Sequence, residues 1–457
     1  MKLFVTGRQH VFDTLEEKIA ANDHIIWFHV ASLGEYEQAV PIINALKKNH
    51  PIHKILVSFF SPSGYEVKKN NSIADVVVYL PLDSIKNAKQ FIKLAHPDIA
   101  VFIKYEIWPN YLRLLKKEAI PTILASGLFR SSQIYFKPYG VFMKKALCSF
   151  DYYFVQDNAS KTLLQSIGID QVSVSGDTRF DRVSHQIEMN NTLAFIEEFL
   201  DEHLCVVCGS TWPEDDAILI NYVNSFKEKK AKPVKFIIAP HEIKPEKIKK
   251  LREKLKLPTV SYSNKDASNL KDHQVFIIDT IGLLTKIYSY ANIAYVGGAM
   301  GTSGLHNILE PATFGVPIVI GCNYEKFPEA NRLRQLAGLY SVKNEDDVAS
   351  IFNKLIYDDS FRETTGLIAE HFINSNTGAT KITVDYINNI FENFVPLCGD
   401  KKYADDLAIV GGLAKIDGKS VMLLGTEKGN SMESRIKHNF GMAKPEGYRK
   451  AQRLMKI

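Results

Sequence analysis

The sequence predicts an α/β protein made of two doubly wound units with parallel sheets, on three observations. Short apolar runs alternate with helical spacing along most of the chain, the alternation restarts near residue 204, and small or glycine-rich loops follow several of the strands. Such alternation implies parallel sheets covered on both faces. With ligand loops beyond the carboxyl ends of the strands, two units of this kind describe a cleft enzyme. At 457 residues, 46% hydrophobic and 23% charged, the chain can hold two or three domains with sizeable cores.

The first series opens after a short helical lead-in. Ile25–Val30 reads as a buried strand, Ala31-Ser-Leu-Gly34 as a small-residue loop and Glu35–Leu46 as a helix. Glu35 therefore stands at a helix N-terminus beyond a strand's carboxyl end, where a carboxylate serves either as a dipole partner or as a general base. Further strands are expected at Lys54–Phe59, Val76–Tyr79, Ile99–Ile103, Thr122–Ala125 and Tyr152–Val155. Glu106 follows the third of these in Lys104-Tyr-Glu-Ile-Trp-Pro-Asn110, an acid beside Trp108 and Pro109 at a strand's carboxyl end. From Phe129 to Phe150, Arg130, Lys137, Lys144 and Lys145 interleave with Tyr135, Phe136, Tyr139 and Phe142. That pattern suits either an anionic membrane surface or an ordinary helix with an aromatic core face.

A linker is expected near Gly176-Asp-Thr-Arg-Phe-Asp181, where Arg179 has two roles open: reaching an anionic substrate or making a structural salt bridge. The second series runs through Leu204–Ser210, Lys235–Pro240, Val275–Asp279, Ile293–Val296 and Ile318–Ile320. Pro240 and His241 follow its second strand, a place for nucleotide contacts. After Val296 come Gly297, Gly298, Gly301 and Gly304, then a helix expected from Asn307 through Glu310 and stopped by Gly315 and Pro317. Strand, glycine loop and helix N-terminus form a natural anion site, with Glu310 placed to accept from a ribose. The spacing is neither G-x-G-x-x-G nor a P-loop.

Other classes recede. A formal charge of +5 is too mild for a dedicated nucleic-acid binder. Cys148, Cys205, Cys208, Cys322 and Cys398 form no disulfide framework, and Cys205 and Cys208 read as buried thiols in a strand. No metal-ligand cluster declares itself in the sequence, its start reads as no signal peptide, and no apolar run approaches the roughly 18 residues that a membrane span needs.

Residues 1 to about 397 resemble the bacterial Kdo (3-deoxy-D-manno-octulosonic acid) transferases. The motifs that carry the resemblance are His29-Val-Ala-Ser-Leu-Gly-Glu35, Glu106-Ile-Trp-Pro-Asn110, Gly176–Asp181, Pro240-His241, Val296-Gly-Gly298 and Asn307-Ile-Leu-Glu-Pro311. The resemblance implies a GT-B fold, two Rossmann-like domains facing a cleft. It also implies inverting, metal-independent transfer of Kdo from CMP-Kdo to the lipid A precursor, with no cofactor. Glu35 would be the base, and Glu106 and Arg179 would support the transition state, Arg179 standing where many relatives have Lys. Pro240, His241, Ile281, Gly282, Leu283, Asn307, Ile308, Leu309 and Glu310 would hold CMP. Many relatives have an acid at Leu283, so only a backbone contact is expected there. The implied domains are 1–175 for the acceptor and 176–397 for the CMP-sugar, with the last helix packing back on the first domain. Relatives usually begin with a hydrophobic anchor. Without one, peripheral binding to the cytoplasmic face of the inner membrane through residues 129–150 is expected, or else an incomplete version. A sugar-nucleotide epimerase and an inactive nucleotide-binding scaffold are the competing readings.

From about Gly399 the sequence changes character. Asp400–Gly412, Gly429, Asn439-Phe-Gly-Met and Pro445–Ala451 look like an internal piece of the acetyl-CoA carboxylase carboxyltransferase alpha subunit. The expectation is a fusion or assembly scar at 398–457, loosely attached, with a hairpin around Ile409–Leu424 and a helix from Gly447. A bifunctional enzyme is the alternative.

Overall fold

The computed structural model describes residues 4–456 apart from 5, 227–233, 268, 392–394, 398, 417, 418 and 429–431. Cys398 and Gly429 thus lie outside the described residues. Two compact units result, one of 1–43 with 53–380 and one of 44–52 with 381–457.

The larger unit holds two seven-stranded parallel sheets. The first comprises β1 (His24–Val30), β2 (His53–Phe59), β3 (Val76–Tyr79), β4 (Ile99–Ile103), β5 (Thr122–Gly127), β6 (Tyr152–Val155) and β7 (Val172–Val174), in the order β3-β2-β1-β4-β5-β6-β7. The second comprises β8 (Leu204–Thr211), β9 (Val234–Pro240), β10 (Thr259–Ser261), β11 (Val275–Ile277), β12 (Ile293–Val296), β13 (Ile318–Ile320) and β14 (Leu339–Ser341), in the order β10-β11-β9-β8-β12-β13-β14. Central strands are apolar on both faces because helices cover both: β1 is buried from Ile25 to Val30 and β4 throughout. Trp27 and Phe102 pack edge to face, 5.3 Å between ring centres. Burying a side chain such as Phe102 contributes roughly 1.5–3 kcal/mol.

In each sheet the strand order reverses beside the first strand, between β1 and β4 and between β8 and β12. Crossovers leave on opposite faces at such a point and open a crevice beyond the carboxyl ends. His29, the loop before Glu35 and Glu106 lie at the first crevice. Thr211, Gly297 and Gly298 lie at the second.

The helix carrying Glu35 spans Leu33–Asn49 and runs through Pro41. The helix expected from Asn307 is shorter than its spacing suggested, covering only Leu309–Thr313. Little chain separates the glycine loop from β13, and Gly315, at φ +66°, turns the backbone out of the helix. Residues 129–150 form two 3-10 turns, Ile134–Phe136 and Pro138–Gly140, and a helix Val141–Leu147. Phe129, Ala146, Leu147 and Phe150 enter the core, whereas Tyr139, Val141 and Phe142 are exposed. Cys205 and Cys208 are fully buried in β8, and burial pushes both thiols up.

The smaller unit contains β15 (Val395–Pro396), β16 (Ile409–Ile416) and β17 (Lys419–Thr426), antiparallel in that order, and the helix Pro445–Leu454. Leu454 is fully buried, close to Gly411 of β16. Asp400 accepts from the N–H groups of Lys402, Tyr403 and Ala404 and from Arg449 Nε at 2.6 Å. Those backbone donors, with Arg449, hold its carboxyl well below the usual range. In the same unit, His50 Nε2 lies 2.8 Å from Asn388 Oδ1.

Candidate active site

At the first crevice a buried polar chain starts under the loop. Trp27 Nε1–H donates to Ser58 Oγ at 2.8 Å, and Ser58 Oγ lies 2.9 Å from His29 Nδ1. Glu106 Oε2 accepts from Trp108 Nε1–H at 3.1 Å and sits 3.6 Å from His29 Nε2. Glu35 is deeply set, 8% exposed. Its Oε2 accepts the Ser32 N–H at 3.0 Å and the Ser32 hydroxyl, a first-turn arrangement that satisfies helix donors. Its Oε1 faces Lys104 Nζ at 3.7 Å. Lys104, at φ +70°, lines a cavity of about 440 Å³ together with Arg130, Arg179, Lys326, Glu329 and Arg332. Glu35 thus meets this basic cavity through Lys104.

Arg179 joins the two sheets' halves. Its Nε donates to Asp177 Oδ2 at 2.8 Å, and its Nη1 lies 3.1 Å from Glu329 Oε1 on the helix Pro328–Gln335. Asp177 also accepts from Gln38 Nε2 at 3.0 Å. The structural salt bridge is the role seen: the guanidinium is anchored by two carboxylates, and the residue lines the cavity.

At the second crevice the glycine turn differs from a simple anion cradle. Gly297 N–H donates to Gly209 O at 2.9 Å and Gly298 N–H to Asp215 Oδ2 at 2.8 Å. Both amides are therefore spent within the fold, contrary to expectation. Asp215, fully buried at the start of the helix Pro213–Ser225, further accepts from Trp212 N–H and Tyr295 O–H. Gly298 has φ +96°, and a Cβ there would come within 2.1 Å of Gly304 O. Gly298→Ala is expected to cost about 3 kcal/mol in stability, read as a lower unfolding midpoint.

Trp212, His241 and His306 form a stack: Trp212 lies on His241 with ring centres 4.6 Å apart, and His241 lies 4.6 Å from His306. Trp212 Nε1–H donates to His306 Nε2 at 3.0 Å. An indole is only a donor, so Nε2 is the bare nitrogen and Nδ1 carries the proton. Burial, and then His241, push the His306 pKa down to about 4, so the ring is neutral near pH 7. Burial also lowers the pKa of His241, whose backbone N–H donates to Thr211 O; Pro240 ends β9 beside it.

Glu310 is tied internally. Its Oε2 accepts from Thr285 Oγ1 at 3.1 Å and its Oε1 from Asn307 Nδ2 at 3.2 Å, while Asn307 Oδ1 caps the Leu309 N–H. Burial pushes the Glu310 carboxyl up, opposed by Thr285 and by Arg182. Arg182 pairs with Glu37, two residues beyond Glu35. Ile308 and Leu309 are core residues. Ile281 is exposed, Gly282 has φ +90° and Leu283 packs against the second core. The spacing named neither the Trp212–His306 contact nor the Ser58 and Lys104 contacts, because each joins segments far apart in the sequence.

Two Rossmann-like units with parallel sheets define a GT-B architecture of the kind shared by glycosyltransferases and sugar-nucleotide epimerases. The UDP-GlcNAc 2-epimerase of Neisseria meningitidis is similar in fold, with a TM-score of 0.56 over 80% of this chain and 100% of that one at 16% identity. A glycosyltransferase of Rickettsia africae gives 0.52 over 81% and 100% at 13% identity. In sequence, residues 7–182 match the family described as 3-deoxy-D-manno-octulosonic-acid transferase (kdotransferase). The 3-deoxy-D-manno-octulosonic acid transferase of Haemophilus influenzae is 25% identical over 379 residues, 81% of this chain and 88% of that protein. That of Aquifex aeolicus is 27% identical over 335 residues, 72% and 86% respectively. Most of the chain is thus similar to the Kdo transferases, which supports a glycosyltransferase.

Residues 375–457 match the family described as acetyl co-enzyme A carboxylase carboxyltransferase-like, a match that begins before the change of text at Gly399. The carboxyltransferase alpha subunit of Zymomonas mobilis is 63% identical over 73 residues. The chain spans only 23% of that relative's length.

Proposed function

We propose that the protein transfers Kdo from CMP-Kdo to the lipid A precursor lipid IVA, with inversion and without a metal ion, in lipopolysaccharide synthesis. The observation that carries this reading is the placement of Glu35 at the first crevice, its free oxygen toward Lys104 and the basic cavity. A sugar hydroxyl is a poor nucleophile near neutral pH, so a fixed carboxylate assists by taking its proton as the C–O bond forms. Arg179 lines that cavity and Glu106 follows Lys104 and Tyr105 of its lining; both supply charge where it develops in the transition state. CMP leaves as a phosphate monoester. Loop amides after Gly298, the first turn at Asn307–Glu310 and the neutral His306 Nδ1–H are the groups that receive it, while Pro240 and His241 bracket the nucleotide. The segment 129–150 docks on the anionic leaflet, with Tyr139 and Phe142 entering the interface and Arg130 and Lys145 meeting head groups. The described residues contain no helix long and apolar enough to cross a membrane.

The test combines purified protein, CMP-Kdo with labelled sugar, and lipid IVA. Label is expected to pass to the lipid at an unchanged rate in excess EDTA. Co-sedimentation with anionic vesicles is expected to fall when Tyr139 and Phe142 are both replaced by serine. Turnover of CMP-Kdo without labelled lipid, or loss of transfer on chelation, contradicts the reading.

A further inference from the structure

The His29 ring is fully buried in β1, and its Nε2 has no hydrogen-bond partner among the described residues. An interior polar nitrogen left in that state is costly, so what it faces matters. It faces Glu106 Oε2 at 3.6 Å, too long for a hydrogen bond but a strong electrostatic contact out of water.

The other ring nitrogen settles where the proton is. Trp27 Nε1 can only donate, so Ser58 Oγ accepts at 2.8 Å. The Ser58 hydroxyl proton then has two acceptors, Phe28 O at 3.5 Å and His29 Nδ1 at 2.9 Å. The shorter contact takes it. Nδ1 is therefore the acceptor, and in the neutral ring the proton sits on Nε2, aimed at Glu106. The opposite tautomer would set a bare nitrogen against a carboxylate oxygen. Trp108 Nε1–H reaches the same Oε2 at 3.1 Å, and its ring stands edge-on to His29 with centres 5.8 Å apart. Glu106 Oε1 has no hydrogen-bond partner among the described residues.

We infer that His29 is a positioning residue for Glu106: Trp108 holds Oε2 by a hydrogen bond, the His29 Nε2–H edge attracts the same oxygen electrostatically at 3.6 Å, and Oε1 is left presented to the reacting groups. The chain Trp27–Ser58–His29 fixes the tautomer from behind, on two adjacent strands of the central sheet. The inference rests on the transferase reading, in which Glu106 supports the transition state. The other titratable groups around Glu106 are Lys104 and Tyr105 on its own loop and Tyr135, whose phenol is pushed up to about 12 by burial and then by Glu106 and Tyr105.

Two isosteres separate positioning from structure. In His29→Asn the side-chain amide overlays Nδ1, keeping Ser58 satisfied and losing the N–H that faces Glu106. In His29→Gln the terminal N–H overlays Nε2 and restores it. With CMP-Kdo and lipid IVA, the Asn variant is expected to lose about 10- to 100-fold in kcat, with KM for CMP-Kdo within about twofold. The Gln variant should recover most of the rate. Equal losses in both variants, accompanied by lower melting temperatures, or an Asn variant with the wild-type kcat, overturn the inference. Glu106→Gln run alongside separates the two levels. If Glu106→Gln is dead and His29→Asn is fully active, only the role of His29 fails. If Glu106→Gln is fully active, the role of Glu106 fails and takes that of His29 with it.

Discussion

Replacing Glu35 by glutamine is expected to lower the rate of Kdo transfer by about 10²- to 10⁴-fold while CMP binding stays within about twofold. The substitution keeps the size and planarity of the side chain and removes the one property a base needs, the capacity to take a proton. The binding expectation follows from position: Glu35 lies in the first turn of the helix after β1, whereas Pro240, His241 and the turn at Gly298 belong with the second sheet. Ser32 supplies the internal control. Its N–H and hydroxyl both reach Glu35 Oε2, and a glutamine can still offer an oxygen there while turning its NH₂ toward Lys104. That orientation sets two donors together at the cavity but leaves the helix start intact, so the melting temperature should stay within about 2 °C of wild type. A Glu35→Gln protein that transfers Kdo at the normal rate removes Glu35 as base, whatever the acceptor.

How much of this was legible beforehand depends on the range of the interaction. The strands were, because a parallel sheet covered on both faces demands continuous apolar runs, and Ile99–Ile103, Tyr152–Val155 and Ile318–Ile320 are such runs with the expected limits. The placement of Glu35 and Glu106 after strands followed from the same alternation. The glycine turn was legible as a turn and not as chemistry. That Gly298 must be glycine shows in its φ of +96°, but the partner of its N–H is Asp215, more than eighty residues earlier in the chain. No local pattern announces such a pairing. The five-residue helix at Leu309–Thr313 fails for a related reason: the spacing of Asn307–Glu310 is helical, yet its length is set by β13 and Gly315 rather than by propensity. The His241–Trp212–His306 stack joins three loops, and only the crevice between β8 and β12 brings them together.

Asp177→Ala is expected to destabilise the larger unit by about 1–3 kcal/mol at pH 7, through the hydrogen-bonded cation and amide it leaves behind. Asp177 is buried, 6% exposed, and Arg179 lies against it, with Glu329 as the only other carboxylate paired with the guanidinium among the described residues. Burial works against ionising Asp177, but Arg179 and the hydrogen bonds from Arg179 and Gln38 outweigh it and hold the carboxyl below its usual range. A carboxyl with a depressed folded pKa stabilises the native state above its unfolded value, about 3.9, and loses that contribution as pH falls through the folded value. The wild-type advantage over Asp177→Ala should therefore be full from neutral pH down to about pH 5 and shrink below about pH 4, read from urea unfolding midpoints across that range. Because Asp177 also takes the Gln38 amide from the helix of Glu35, the same variant should disturb Arg179 and that helix together. Asp177→Asn keeps an acceptor for Gln38 but not the charge for Arg179, so it should recover part of the loss and none of the pH dependence. Equal midpoints for wild type and Asp177→Ala at pH 7 would place the weight of Arg179 on Glu329 alone.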